Sequence, residues 1–540
     1  MNRFASWWKE GVIYQIYPRS FQDSNGDGIG DLRGIIERLD YLKWLGIVAI
    51  WLSPIFRSPM HDFGYDISDY KSIDPIFGNN DDIDELIKKA HQSGIRIILD
   101  MVLNHTSNQH PWFIESAKGI PQPKRSFYIW QDPVKGKKPN KWKAAFGGNA
   151  WEFDAVSGQY YLHSFLKEQP DLNWRNPDVE EAIFKELSFW LEKQVDGFRL
   201  DVINLIVKDE AFRNNPFAWG QTIRPYDMQQ HIFDRDRPET HEILKRMRSH
   251  IDTYENRMLV GEIMVEKPGN PRIVASYQGE DGDELNLAFN FSFNWLPMKA
   301  KTFEQTAQIW YESLGLQRWP CWVLSNHDVT RAITRFGNQE EKARIAAMFL
   351  LTQKGTPFLY YGEEIGMKDK RVTRNQLQDP VGKRYWPFHP GRDGQRRPMQ
   401  WGPSRQFCQS DVSPWLPYHP EHKKNNVETQ IADVNSLLHM YRNLIAIRNH
   451  DEALRIGRIK FLQHDIPDVL CYVRESEALI RLILLNFSKK EREIPSSLIA
   501  HALGDPSFRV LFNTRQDQIQ ETSDSIILRG YQGLLLCEGE

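Results

Sequence analysis

The stretch IRIILDMVLNH, residues 95–105, joins an apolar run to a polar cluster at its C-terminal end. A continuous run of Ile, Leu and Val of this length is typical of a strand buried on both faces. Helix-like segments, such as 81–94 and 179–195, follow runs of this kind. Eight strands that alternate with helices predict an α/β fold, the (β/α)8 TIM barrel. The seven other runs are GVIYQIYPRSF (11–21), VAIWLSPI (48–55), VDGFRLDVI (195–203), RMLVGEIMV (257–265), LNLAFNFSF (285–293), CWVLSNHD (321–328) and GTPFLYYGEE (355–364).

The spacing of the runs predicts the division into domains. The gap between the third and fourth runs is long and rich in Trp, Pro, Gly and Lys, which predicts an inserted domain at 105–174. A second long excursion, 364–430, follows the eighth run. The barrel then comprises 1–104 and 175–454. Short strand-like segments beyond it predict an all-β C-terminal domain, a β-sandwich, at 455–540.

Composition limits the classes of partner. The chain has 540 residues with 68 Lys and Arg against 71 Asp and Glu, so its formal charge is −3. A dedicated nucleic-acid or membrane-surface protein would carry a basic excess. The sequence shows no leader, no apolar run of spanning length and no Cys-x-x-Cys pattern among its four cysteines. We therefore expect a cytoplasmic protein, monomer or homodimer, that binds neither nucleic acid nor membrane.

Polar residues follow several of the predicted strands. The third run ends in Asp100-x-x-x-Asn104-His105, the fourth in Arg199-x-Asp201, the fifth in Glu262 and the seventh in Asn326-His327-Asp328. Any one of these residues alone is explained by a structural role, as a polar group whose hydrogen bonds are satisfied within the fold. Together they predict a site, because the C-terminal ends of barrel strands meet at one face. Two carboxyl groups on either side of a sugar are what glycoside hydrolysis requires.

These strand ends resemble a known family. DMVLNH (100–105), GFRLD (197–201), GE (261–262) and SNHD (325–328) are similar to the four conserved regions of the α-amylase superfamily, glycoside hydrolase family 13. The resemblance implies the barrel, the inserted domain and the β domain. It is strongest to the bacterial α-glucosidase and oligo-1,6-glucosidase branch. Further matching segments are QIYPRSF (15–21), QPDLNW (169–174), GTPFLYYGEEIGM (355–367) and GRDGQRRPMQW (391–401).

The resemblance implies catalytic roles by position. Asp201 is the expected nucleophile, Glu262 the general acid and then base, and Asp328 a group that binds two sugar hydroxyls and stabilises the transition state. Arg199 keeps Asp201 ionised and oriented. The implied reaction is a double displacement with retention, with no organic cofactor.

The resemblance also implies a sugar pocket. His105 and His327 are expected to donate hydrogen bonds to hydroxyls. In MHDFGYDISDY (60–70), Asp62 is expected to bind the far hydroxyls of the terminal glucose, and Tyr65 to stack on its ring. Further expected contacts are Phe165 and Arg396, and Asp62 with Arg396 would close the pocket and favour exo-action. Core packing is the alternative explanation for Tyr65 and Phe165, and it accounts for Phe165 nearly as well.

The loop DSNGDGIGD (23–31) has the oxygen pattern of half an EF-hand. Gly34 stands where an EF-hand has its bidentate Glu, so the loop is not an EF-hand. In the resembled branch it holds one structural Ca²⁺ or Mg²⁺. A metal-free Asn/Asp/Gly turn is the alternative. The expected ligands are Asp23, Asn25, Asp27, Asp31 and the carbonyl of Ile29, with Gly28 at the sharp turn.

Three residues do not point to a single substrate. Val202 after the nucleophile goes with α-1,6 activity in the resembled enzymes, whereas Val329 goes with α-glucosidases that prefer short substrates. Arg397 replaces the Thr usual in the family and is expected to add a cation near the pocket. The leading prediction is a retaining exo-α-glucosidase on short oligosaccharides or disaccharides. Alternatives are a transglucosidase, trehalose synthase or sucrose isomerase on the same scaffold and, remotely, a non-catalytic relative.

Overall fold

The structure is a computed structural model, which describes residues 6–219, 224–266, 269–404, 407–408, 412–505, 507–515 and 517–539. Its centre is one sheet of eight parallel strands, each of which belongs to one of the eight predicted runs. The strands are shorter than the runs because several runs continue into turns that carry polar residues. They are β1 (Ile13–Ile16), β2 (Ala49–Leu52), β3 (Arg96–Val102), β4 (Gly197–Asp201), β5 (Met258–Gly261), β6 (Leu287–Ala288), β7 (Cys321–Val323) and β8 (Thr356–Tyr360).

The sheet is a nearly closed barrel. Its strand order is β6-β5-β4-β3-β2-β1-β8-β7, so the two end strands are consecutive in the chain. All neighbours are parallel. Every residue of β1, β2, β4, β5, β7 and β8 is buried, as strands covered by helices require. The predicted (β/α)8 barrel is therefore confirmed.

A helix follows each barrel strand. The predicted helix at 81–94 is Asn80–Gln92; Asn79 and Asp82 form a capping box at its start. The other helices are Trp7–Glu10, Pro18–Phe21, Leu32–Glu37, Leu39–Leu45, Pro111–Ser116, Pro177–Glu192, Pro238–Ile251, Pro271–Ser276, Ala300–Leu314, Ala332–Arg335, Glu340–Thr352, Pro380–Tyr385, Val427–Ala432, Leu437–His450, Glu452–Arg455 and Ser496–Leu503, with 3₁₀ turns at Arg125–Phe127, Ile203–Leu205, Ser292–Asn294, Arg374–Gln376, Asp393–Arg396 and Pro420–Lys423. None of the helices in the described segments is long and apolar enough to traverse a bilayer.

The inserted segment 105–174 carries a small antiparallel sheet of Trp130–Gln131, Gln159–Leu162 and Trp151–Asp154. The hairpin Phe56–Arg57 and Asp69–Ile73 lies before it in the chain. Another long loop, 206–237, follows β4, and no pattern in the sequence predicted it. It docks on the inserted domain, because Asn140 Nδ2 donates to the Phe212 carbonyl at 2.9 Å and Trp142 Nε1 to the Arg213 carbonyl at 2.9 Å.

The C-terminal domain consists of two antiparallel sheets around one apolar cluster. It also contains the helix Ser496–Leu503, which the strand pattern did not predict. Its strands are β9 (Arg458–Phe461), β10 (Val469–Glu475), β11 (Ile480–Asn486), β12 (Arg492–Pro495), β13 (Phe508–Asn513), β14 (Gln520–Glu521), β15 (Ser525–Leu528) and β16 (Gly533–Glu538), of which β12, β15 and β14 form the smaller sheet.

Two buried arginines cap a barrel helix, and one of them, Arg474, belongs to the C-terminal domain and so joins it to the barrel. The helix Glu340–Thr352 ends inside the protein, where its last carbonyl groups lack helical partners. Arg448 donates to the carbonyls of Leu351 at 2.9 Å and Gly355 at 2.6 Å. Arg474 on β10 donates to that of Thr352 at 2.7 Å. Both guanidinium groups therefore cap the helix end beside the start of β8.

We expect Arg448→Met to destabilise the protein by about 3 kcal/mol, because it leaves buried carbonyl groups without donors. Arg448→Lys, which keeps the charge but fewer donors, should fall between Met and the wild type. Urea unfolding followed by tryptophan fluorescence measures the difference. An unchanged midpoint for Arg448→Met would show that the carbonyl groups find other partners.

Candidate active site

The barrel register places the polar strand ends side by side. Asp100 on β3 lies opposite Arg199 on β4, and Val102 lies opposite Asp201. Glu262 follows β5 directly, and its backbone N–H donates to the Leu200 carbonyl at 2.9 Å. Asp328 lies beyond β7. The structure thus brings the three predicted catalytic carboxyl groups to one end of the barrel.

Arg199 is the common partner of the acids at this end. Its Nη1 donates to Asp100 Oδ1 and to Asp201 Oδ1, each at 2.7 Å. Its Nη2 donates to Glu262 Oε2. The guanidinium also lies 5.1 Å from the ring centroid of Trp51. A single buried cation therefore holds the expected nucleophile and the expected acid in fixed positions.

The site retains protons near neutral pH. Burial raises the pKa of Glu262 to about 8; Arg199 opposes this shift, and the charges of Asp201 and Asp328 add to it. Burial likewise raises the pKa of Asp201 to about 7, again against Arg199 and together with Asp100. Burial and mutual repulsion thus make the pair of carboxyl groups hold a proton to higher pH than isolated acids do. A protonated Glu262 beside an ionised Asp201 is the pairing that an acid and a nucleophile need.

Asp328 stays ionised for a different reason. Burial alone would raise the pKa of Asp328, but the neighbouring His327 and the guanidiniums of Arg392 and Arg396 lower it. Arg396 Nη2 donates to Asp328 Oδ1 at 2.9 Å and Arg392 Nη1 to the same oxygen at 3.1 Å. Asp328 is therefore a fixed negative charge in the site.

Val202 turns the chain directly after Asp201. Its φ of 36° and ψ of 45° lie in the left-handed region, which a β-branched residue rarely adopts. The turn lets the Ile203 N–H donate to the Glu262 carbonyl at 3.0 Å. The backbone of Glu262 is thus bonded to both sides of Asp201, so the strained turn sets the spacing of the two carboxyl groups.

Tyr65 and His327 form a stacked pair with ring centroids 5.4 Å apart and planes at 2°. Gln15 Nε2 donates to His327 Nδ1 at 2.8 Å, so the ring proton lies on Nε2, which is 2.6 Å from Tyr65 Oη and 3.0 Å from Asp328 Oδ2. Burial lowers the pKa of His327 to about 3, so the ring is neutral. His327 orients Tyr65 and Asp328 in this structure.

His105 and Phe165 also line the site, next to the backbone of Tyr65. His105 Nε2 donates to the Tyr65 carbonyl at 3.0 Å, and Asn104 Nδ2 lies 3.1 Å from His105 Nδ1. Both ring nitrogens therefore have protein partners, and burial lowers the pKa of His105 to about 4. Phe165 packs against His105 and Val202 and also lines the cavity. Phe165 therefore packs against its neighbours with one part of its ring and lines the cavity as well.

The structure gives the partner of Asp62 as Arg392, whereas the sequence suggested Arg396. Arg392 Nη2 donates to Asp62 Oδ1 at 2.7 Å and is also held by Asp379. Arg396 is fully buried, with its Nε on the His327 carbonyl at 2.8 Å. The sequence offered several arginines in GRDGQRRPMQW and no information on which one points into the cavity.

Arg397 has a structural role rather than the expected role of a cation near the pocket. It donates to the carbonyls of Pro417 at 2.7 Å, Tyr418 at 3.0 Å and Lys370 at 2.9 Å. It is absent from the residues that line the cavity within the described part of the chain. Arg397 therefore ties together two parts of the excursion 364–430.

These groups surround a cavity of about 450 Å³. Asp62 and Arg392 line one end, together with Asp328. Burial raises the pKa of Asp62 to about 6 despite the opposing Arg392 and Arg396. The remaining wall combines polar side chains, such as Arg224, Asp227 and Arg235, with a larger apolar and aromatic part. It includes Phe146, Phe165, Val202, Trp219, Tyr226, Met264, Phe291, Trp295 and Val329.

The acidic loop 23–31 lies outside the cavity and is folded by its own hydrogen bonds. Asp23 accepts from the N–H groups of Gly26 at 2.7 Å and Gly28 at 2.8 Å, and Asp31 caps the following helix. Gly28 has a φ of 90°, as the predicted sharp turn requires. Among the described residues, no group of three or more His, Cys, Asp or Glu side chains is arranged to hold a metal. The loop offers only oxygen donors, the type that Ca²⁺ and Mg²⁺ prefer, so the cation stays a prediction.

Comparison with known proteins agrees with the fold and the site. Residues 15–457 match the family model of the α-amylase catalytic domain. The chain is 42% identical over 472 residues to a probable α-glucosidase of Rhizobium meliloti (strain 1021), which covers 85% of each chain. It is 39% identical over 518 residues to an oligo-1,6-glucosidase of Parageobacillus thermoglucosidasius, which covers 90% of this chain and 91% of the relative. A crystal structure of an α-glucosyl transfer enzyme superposes with a TM-score of 0.92 at 38% identity over 99% of both chains.

The family match, together with a parallel barrel that gathers carboxyl groups around one arginine, places the protein in the glycoside hydrolase class. The protein belongs to the α-amylase family, glycoside hydrolase family 13. The resemblance noted in the sequence is confirmed over most of the chain.

If the loop 23–31 binds a cation, added Ca²⁺ or Mg²⁺ should raise the melting temperature and a chelator should reverse the rise, because a ligand of the folded state stabilises it. Asp27→Asn keeps an acceptor for the Ile29 N–H but removes charge, so it should abolish this response. Asp40→Asn, an exposed residue outside the loop, is the matched control. Equal melting curves with cation and with chelator would count against the site.

Proposed function

We propose that this protein is a retaining, exo-acting α-glucosidase that releases glucose from the non-reducing end of short α-glucosides of the maltose or isomaltose type. The observation that carries the proposal is the bridge from Arg199 to both Asp201 and Glu262. One guanidinium that contacts both carboxyl groups holds them close together. Close spacing suits retaining glycosidases, whose carboxyl groups lie about 5–5.5 Å apart, rather than inverting ones.

In the first step, Asp201 attacks the anomeric carbon of the terminal glucose. Glu262 donates its proton to the glycosidic oxygen as the bond to that oxygen breaks, so the leaving sugar departs as a neutral alcohol. The product is a β-glucosyl ester on Asp201. The raised pKa of Glu262 supports its role as acid, since a group with a pKa of about 8 carries its proton at neutral pH.

In the second step, Glu262 acts as base. It takes a proton from a water molecule, whose oxygen attacks the anomeric carbon and releases Asp201 as a carboxylate. The two inversions return the α configuration. The negative charge of Asp328 and the carboxylate of Asp201 stabilise the positive charge that develops on the sugar ring.

The closed end of the cavity supports exo-action. Asp62 and Arg392 form an ion pair there at 2.7 Å, and Arg392 is anchored further by Asp379. Such a pair offers both acceptors and donors to the far hydroxyls of one glucose unit. A chain end fits against it, whereas the middle of a polysaccharide has no path beyond it.

The choice of bond and of acceptor is set on the apolar side of the cavity. Val202 and Val329 both line this side, and their family preferences point to different substrates. A change of this size is worth only about 1–3 kcal/mol, so it biases the choice of linkage. Transfer of glucose to a second sugar is the alternative outcome of the same glucosyl-enzyme. The similarity to an α-glucosyl transfer enzyme supports this alternative, glucose transfer.

A proton NMR time course on maltose, isomaltose, sucrose and trehalose, each supplied separately, tests the proposal. We expect α-glucose as the first new signal with maltose or isomaltose, because two inversions give retention. New disaccharides that outrun free glucose would make the enzyme a transferase or isomerase. Release of β-glucose would refute the retaining mechanism, and four untouched substrates would refute the proposed activity.

We expect Asp201→Asn to reduce turnover by about 10³-fold or more, because the amide does not form the glycosyl ester. Its melting temperature should not fall much. The raised pKa of Asp201 means that its ionised form destabilises the folded state at neutral pH, and the neutral amide removes that cost. Full activity of this variant would exclude Asp201 as the nucleophile.

The rate should depend on pH with two limbs. Loss of the Glu262 proton lowers kcat/KM above about pH 8, and protonation of Asp201 lowers it on the acid side. In Glu262→Gln, assayed with an aryl α-glucoside whose leaving group needs no proton, the alkaline limb should disappear. An alkaline limb that persists in this variant would assign it to another group.

A further inference from the structure

The loop 206–237 contains a paired segment that carries two exposed aromatic side chains. Ala218 N–H donates to the Met228 carbonyl at 3.0 Å, and Gln230 N–H donates to the Pro216 carbonyl at 2.8 Å. Phe217 and Gln229 lie opposite each other as an antiparallel bridge. The backbone that presents residue 219 is therefore hydrogen-bonded on its inner side.

The segment is also fixed to the inserted domain. Gln229 Oε1 accepts from the Lys143 N–H at 3.1 Å, and Gln229 Nε2 donates to the Lys141 carbonyl at 3.1 Å. Phe212, earlier in the same loop, packs against Trp142 with ring centroids 5.9 Å apart. The position of the aromatic side chains relative to the cavity is thus set by the inserted domain.

Trp219 is 90% exposed, although its indole is one of the largest apolar groups in the protein. It contacts Phe217 edge to face, with ring centroids 5.6 Å apart and planes at 78°. Phe217 is itself 64% exposed. An exposed aromatic pair on an anchored backbone is typical of a binding surface rather than of a core, because burying such rings is favourable.

Trp219 lines the same cavity as Asp201 and Glu262. The Asp62–Arg392 ion pair in the same cavity has side chains only 5% and 13% exposed, so it forms a closed end, whereas the 90% exposed Trp219 lies at the open mouth. A glucose bound against that closed end directs its glycosidic oxygen, and the group beyond it, towards the open side. Trp219 therefore lies on the side of the leaving group.

We propose that Trp219 is a stacking platform for the sugar on the leaving-group side of the bond, both as the departing group and as an acceptor in transfer. This inference rests on the proposed glucosidase function and adds a residue that determines its specificity. The flat indole offers its face to the C–H groups of a pyranose ring, while the hydroxyls at the ring edge stay in water. Binding energy from this remote sugar lowers the barrier of the reaction at the anomeric carbon.

The test compares two substrates that share the glucosyl group. The disaccharide, maltose or isomaltose according to which one the wild-type enzyme cleaves faster, has a sugar as its leaving group, whereas α-glucosyl fluoride has only fluoride and leaves the platform empty. In Trp219→Ala, the ratio of kcat/KM for that disaccharide to kcat/KM for α-glucosyl fluoride should fall about tenfold, the size of one aromatic contact. Trp219→Phe, which keeps a smaller ring, should give an intermediate ratio.

Phe153→Ala is the matched control, because Phe153 is a half-exposed aromatic residue of the inserted domain that does not line the cavity. Its ratio should equal that of the wild type. A Trp219→Ala ratio within twofold of the wild type, or an equal loss on both substrates, would overturn the platform while leaving the glucosidase function intact. A wild-type enzyme inactive on both substrates would overturn the function and the platform together.

Discussion

The active site depends on one buried guanidinium. Arg199 contacts Asp100, Asp201 and Glu262, which come from three adjacent strands of the barrel. Without a cation among them, three buried carboxyl groups would repel one another or take up protons. The parallel register makes the arrangement possible, because neighbouring strand ends lie a few ångströms apart at one face. The barrel brings the three carboxyl groups together, and the positive charge of Arg199 offsets the repulsion among them.

Charge balance explains why the site can move protons near neutral pH. In the ion-pair network around the catalytic acids, as far as the described residues show it, three arginines (Arg199, Arg392 and Arg396) pair with six carboxyl groups, so the acids of this network outnumber its cations. The arginines are not distributed evenly. Asp328 has two of them and stays ionised, whereas Asp201 and Glu262 share one with Asp100. Asp201 and Glu262 therefore have less positive charge close to them than Asp328 has, and their pKa values are raised, to about 7 and about 8.

The sequence was informative where one pattern determined one structure. Eight apolar runs predicted eight strands, and strand-end polar residues converge in any parallel barrel, so Asp201 and Glu262 were predictable. Side-chain direction in irregular loops was not predictable. The arginine that reaches Asp62 is Arg392, because the turn at 391–397 points its side chain inward, and no periodicity encodes that turn. The aromatic segment around Trp219 was not predictable for the same reason, since the sequence of its loop has neither a strand nor a helix pattern.

The left-handed backbone of Val202 has a consequence for how such an enzyme changes during evolution. The same residue shapes the leaving-group wall and stores conformational strain beside the nucleophile. A smaller, unbranched replacement would widen the cavity and relax the backbone in one step. Selection for a new glycosidic bond at this position therefore sets the packing lost with the side chain against the strain released in the backbone. The leaving-group wall and the strained backbone belong to one residue, so a change of specificity here changes packing and strain together.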